Sequence, residues 1–143
     1  MLPPIATIVE NFEFIEDWEE RYRYLIELGR ALPPPDAALH AEANKVQGCA
    51  SQVWIDLRVD RSAPEPHLRL RGDSDAHIVR GLVALMIALF DGKTPRDAAG
   101  TDAFALYTQL GLSEHLTPQR SNGVRAMADR IHRDAVRLSG EAA

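Results

Sequence analysis

The chain has 143 residues, of which 45% are hydrophobic and 26% charged, and a formal net charge of -5 at pH 7. A chain of this size buries roughly two-thirds of its unfolded surface, so one domain over residues 1–143 is expected and wholesale disorder is excluded. The acidic balance argues against nucleic acid as a partner, and the longest apolar stretch, residues 81–90, is too short to span a membrane.

Near the amino terminus Ile15, Trp18, Tyr22, Leu25, Ile26 and Gly29 recur at helical spacing, with Glu19, Glu20, Arg21 and Arg23 on other faces. This pattern predicts an amphipathic helix over 16–31, preceded by a shorter turn of helix. Pro33-Pro34-Pro35 stops it, because proline lacks an amide donor and pushes the preceding residue out of helical geometry. Residues 51–59 and 67–71 alternate and are rich in β-branched and aromatic types, which predicts an antiparallel pair of strands. Gly72-Asp73-Ser74-Asp75 reads as a turn and helix N-cap ahead of a deeply buried helix over 78–90, whose only charge is Arg80. Thr94-Pro95 has the form of an N-cap followed by proline at the first helical position, and residues 102–110 predict another short helix closed by Gly111. From Gln119 onward Val124, Met127, Ala128, Ile131, Ala135 and Leu138 form one stripe, with Arg125, Asp129, Arg133 and Arg137 outside it, which predicts a surface helix with a frayed tail. The order of elements gives an α+β fold in which helices cover one face of a small antiparallel sheet.

Cys49 is the only cysteine. It sits in Val46-Gln47-Gly48-Cys49-Ala50-Ser51-Gln52-Val53-Trp54, where a polar loop gives way to an apolar strand. A lone thiol closes no intramolecular disulfide and assembles no usual zinc or iron–sulfur ligand set, so no metal site is expected. By residue type alone such a cysteine is more often inert packing. Its neighbours favour reactivity: Gly48 permits backbone angles closed to other residues, and Gln47, Ser51 and Gln52 point to a tight exposed bend whose amides would lower the thiol pKa.

A cysteine hydrolase would need a histidine base and an orienting Asn or Asp, for which His40, His67, His77 and His115 with Asn44 and Asn122 are available. No spacing selects among them. His67 is expected at a strand rim and His132 in water, with His77 and His115 in structural roles at helix ends. Asp73 and Asp75 read as a cap and a surface charge rather than a catalytic pair, and Arg120 as a charge at a helix start. No nucleotide-binding glycine loop or Gly-x-Ser-x-Gly pattern appears. The residues alone leave a reactive thiol, a hydrolase nucleophile and an interaction module with a packed cysteine side by side.

Four blocks in order narrow the choice. They are Trp18-Glu19-Glu20-Arg21-Tyr22 with Ile26-Glu27-Leu28-Gly29, residues 46–55, Gly72-Asp73-Ser74-Asp75-Ala76 with Ile78-Val79-Arg80-Gly81-Leu82, and His115-Leu116-Thr117-Pro118-Gln119-Arg120-Ser121-Asn122-Gly123. With them the chain resembles the SufE/CsdE family of sulfur-acceptor proteins. The resemblance implies a SufE/IscU-like α+β fold shared with iron–sulfur scaffold proteins. It also implies that Cys49 takes persulfide sulfur from a PLP-dependent cysteine desulfurase of the SufS/CsdA type, stimulates that enzyme, and passes sulfur to an iron–sulfur scaffold complex or another acceptor. Cys49 is then expected at a loop tip, shielded in an apolar pocket with Val53 and Trp54 among its walls until the desulfurase docks. Gly48, Ser51 and Gln52 would support the loop, with Asp75 and Arg120 near the partner-facing surface. The chain itself would bind neither PLP, which belongs to the desulfurase, nor a stable cluster. Ala50 stands where the family often has glutamine, and residues 33–44 have their own composition. Met1-Leu2-Pro3-Pro4-Ile5 lacks the pattern of a secretory signal and the single thiol suits a reducing compartment, so cytoplasm is the expected location.

Overall fold

Helix α3 (His77–Phe90) runs through the centre of the core, buried on nearly every face because Val79, Leu82, Val83, Leu85, Met86, Ile87 and Phe90 follow one another around it. A helix that is apolar all round has no face to give to water, so other elements must enclose it. In the computed structural model, which describes residues 2–142 with side chains through residue 140, helices α1 (Ile5–Phe14) and α2 (Trp18–Arg30) cover one side. Between α2 and α3 the backbones nearly touch: a Cβ built on Gly81 would lie 2.3 Å from the Leu25 carbonyl oxygen, and one on Gly29 would lie 2.9 Å from the Gly81 nitrogen. Gly29 therefore belongs to the helical stripe as a point of close approach.

Strands β1 (Val53–Asp60) and β2 (His67–Ser74) pair antiparallel in a register from Val53↔Ser74 to Asp60↔His67, and β2 packs on α3. The chain before β1 adds an edge: a single 3-10 turn, Glu42–Asn44, leads into a bridge between Lys45 and Trp54, and the Val46 amide donates to the Val53 carbonyl at 2.8 Å. After α3 come three short helices, α4 (Pro95–Ala99), α5 (Ala103–Gln109) and α6 (Leu112–His115), then the long α7 (Pro118–Ala142). Thr94 and Asp102 cap α4 and α5, their side-chain oxygens accepting from the amides of Asp97 and Ala105, as Ser/Thr/Asp caps do. On α7, Val124, Met127, Ile131, Ala135 and Leu138 are buried, as the stripe requires. The expected frayed tail is not seen among the described residues, where α7 stays helical through Ala142.

Thus the α+β order is as expected, with three corrections. The helix ahead of α2 is ten residues long, and residues 15–17 separate the two. Gly72-Asp73-Ser74 continues β2 instead of turning, since Gly72 lies against α3 so closely that a Cβ would meet Val83 Cγ1 at 2.5 Å. Helix α3 consequently has Ala76 at its N-cap and no side-chain cap bond, so Asp73 and Asp75 are not its caps. The four-residue α6 gave no periodic signal. Its last residue, His115, stacks on Trp18 with ring centroids 3.6 Å apart, a structural role of the kind expected at a helix end. Among the described residues no helix is long and apolar enough to cross a membrane.

Candidate functional site

Cys49 lies in the loop between Val46 and Val53, and the neck of this loop is tied at both ends. The Val46–Val53 bond closes one side. Asp75 closes the other, its Oδ1 accepting from the Gln52 amide at 3.0 Å while its own amide donates to the Gln52 carbonyl at 3.3 Å. Gly48 has φ +90°, the left-handed region that a side chain would strain, and it lies within van der Waals reach of Ala126 on α7. These constraints turn the next residue inward. Cys49 is half-buried, and its thiol donates to the Gly123 carbonyl in the first turns of α7 at 3.6 Å.

Beneath the thiol is a cavity of about 200 Å³. Its apolar floor comes from Val79 and Leu82 of α3 and Met127 of α7, and its polar rim from Ser51, Thr117, Gln119 and Arg120. Thr117 also accepts from the Arg120 amide, which fixes the first turn of α7 and with it the rim. Since a water molecule occupies roughly 30 Å³ of liquid, the cavity has room for an added atom on the thiol.

Burial raises the Cys49 thiol pKa above its ordinary value. This corrects the expectation from loop amides: desolvation of the thiolate is the dominant influence, and the resting group is the protonated thiol. The walls are corrected as well. Val53 is wholly buried in the core and Trp54 stacks on His40 with centroids 4.0 Å apart, so neither lines the cavity. Of the residues singled out from sequence, Cys49, Ser51 and Arg120 meet at the cavity, Gly48 shapes the loop, and Gln52 and Asp75 close its neck. Among the described residues no histidine lines the cavity, which leaves a hydrolase without its base. No group of three or more His, Cys, Asp or Glu among them is placed to hold a metal. His132 is exposed. His67 sits at the sheet rim, its Nδ1 2.8 Å from the Gly92 carbonyl.

One cluster was missed. Asp73, 6% exposed, holds His40 Nε2 at 2.7 Å on one oxygen and faces Arg80 Nε at 3.4 Å with the other. Those last two atoms are buried and make no hydrogen bond, so charge alone joins them. The three residues are far apart in sequence, and no spacing signals their meeting. Together with the His40–Trp54 stack they fasten the segment ahead of the Cys49 loop to the sheet.

Residues 6–135 match the SufE family, described as an Fe-S metabolism associated domain. Uncharacterised SufE-like proteins of Rhizobium etli and Rhizobium meliloti are each 48% identical to the chain over 128 residues, covering 90% of it and 86% and 91% of the respective relatives. The solution structure of a hypothetical protein from Thermus thermophilus superposes with a TM-score of 0.74 over 96% of this chain and 97% of that one, at 24% identity. That likeness concerns the fold.

Proposed function

This chain belongs to the SufE family of Fe-S metabolism associated domains, and from that premise we propose that it is a sulfur acceptor that takes sulfane sulfur onto Cys49 from the persulfide of a PLP-dependent cysteine desulfurase. The single observation that carries this reading is the thiol held over a cavity with an apolar floor and a polar, cationic rim. Inert packing would leave no space beneath the sulfur.

The step is a thiol–disulfide-type exchange. The Cys49 thiol first gives up its proton, and its thiolate attacks the outer sulfur of the donor persulfide. A sulfur–sulfur bond forms on Cys49 as the donor's bond breaks, and the donor cysteine leaves as thiolate and takes up a proton. Sulfane sulfur changes hands with no net oxidation. Docking of the desulfurase draws the loop outward, since the resting thiol is protonated and engaged with Gly123. Returned to the cavity, the persulfide is screened from oxidants and small thiols by Val79, Leu82 and Met127, with Arg120 at the rim to balance its negative charge. Removal of sulfur from the donor stimulates the desulfurase, and the load passes on to an iron–sulfur scaffold complex or another acceptor. Asp75 and Arg120 lie on the face the desulfurase would approach. PLP is the desulfurase's cofactor, the protein works as one domain in the cytoplasm, and this chain carries neither PLP nor a cluster.

Incubation with a desulfurase, PLP and radiolabelled cysteine tests this on a non-reducing gel. Reducible label on the parent protein and none on Cys49→Ser is expected; equal label on both would refute the acceptor role.

A further inference from the structure

Arg130 on α7 spends its whole guanidinium on one place. Nη2 donates to the Ala43 carbonyl at 2.8 Å and Nη1 to the Lys45 carbonyl at 3.2 Å, while Nε is held by Asp134 Oδ2 at 2.9 Å. Its side chain is 18% exposed and that of Asp134 19%. The two carbonyls belong to the last residues before the Cys49 loop, where the 3-10 turn ends and Lys45 bridges to Trp54. A planar fork with fixed donors suits this double grip, and a lysine ammonium does not.

The placement along α7 matters as much. Gly123, Met127, Arg130 and Asp134 follow at spacings of four, three and four, which puts them on one face of the helix. That face meets the thiol first, then floors its cavity, then grips the strand entering the loop.

We infer that Arg130 is a positioning residue that anchors the incoming side of the Cys49 loop to α7, so that the thiol swings between cavity and solvent about a fixed neck. The inference rests on the sulfur-acceptor reading for its purpose but not for its geometry. Without the grip, residues 43–46 loosen and Cys49 leaves the cavity more often. A free thiol is then modified faster, and a loaded persulfide is stripped sooner.

The test compares the parent with Arg130→Met, Arg130→Lys and Ile8→Val, the last loosening the core under α1 away from the loop. Iodoacetamide modification of Cys49 is followed by mass spectrometry at a temperature where all four are folded. Arg130→Met is expected to react about tenfold faster, the shift in population that losing one net charge-assisted bond produces. Arg130→Lys should keep most of that increase, and the Val46 amide should exchange faster in both Arg130 variants. Parent-like rates in Arg130→Met, or a rise no larger than in Ile8→Val, would overturn the inference. No desulfurase enters this assay, so it decides the anchor even where the sulfur-labelling experiment fails.

Discussion

Cys49 and Gly123 stand 74 positions apart in sequence, yet the thiol of one donates to the backbone carbonyl of the other at 3.6 Å. The carbonyl lies in the opening turns of α7, and a carbonyl oxygen has two lone pairs, so it accepts the thiol in addition to its place in the helix. This contact keeps the sulfur turned inward, and the burial that comes with it sets the pH behaviour of the isolated protein.

Because burial raises the thiol pKa, alkylation of native Cys49 should reach half its limiting rate at a higher pH than in the urea-unfolded chain, where a free thiol titrates at about 8.5. The same shift has a stability consequence. The folded state binds the proton more tightly, so its contribution is fully present below the unfolded pKa and is lost as pH rises through the raised folded value. Cys49→Ser should flatten that alkaline decline in urea melts. A native midpoint at or below the unfolded one would contradict the burial account.

Among the ion pairs of the described residues, Asp73 is the only anion facing Arg80. Asp73→Ala leaves that guanidinium and His40 without their carboxylate and should cost about 1–3 kcal/mol in chemical denaturation. Asp73→Asn keeps a hydrogen-bond acceptor for His40 and should lose less. Equal losses would show that the acceptor kept by Asn contributes nothing and that the charge on Asp73 carries the whole effect.

The α2–α3 crossing is the least forgiving place in the fold. Gly81→Ala brings a methyl onto the Leu25 carbonyl at 2.3 Å, where neither helix backbone can give way without moving the core. It should lower stability by about 1–3 kcal/mol as overpacking does, despite the better helix propensity of alanine. A melting temperature at or above the parent's would mean that the helices separate freely.

Much of this was legible in the chain itself, for identifiable reasons. The buried helix and the last stripe follow from periodicity, and Thr94 and Asp102 sit where a capping oxygen is needed. Cys49 stood out through Gly48 and the polar residues around it. A pocket was implied by the family resemblance, but its walls were not legible, because Val79, Leu82 and Met127 look like any core positions until α3 and α7 bring them under the thiol. Gly72-Asp73-Ser74 misled because its composition signals a turn, whereas close packing on Val83 and the demands of Arg80 and His40 keep it extended. Arg130 carries no signal in the sequence, since its loop partners are backbone carbonyls that have no side-chain signature.

Mass spectrometry of the chain after mixing with a cysteine desulfurase, PLP and cysteine tests the central claim most directly. The account predicts a gain of one sulfur atom, mapped to the peptide bearing Cys49, removed by reductant and absent from Cys49→Ser. A chain that never gains sulfur at Cys49 while the desulfurase turns over, or gains it equally in Cys49→Ser, would contradict it.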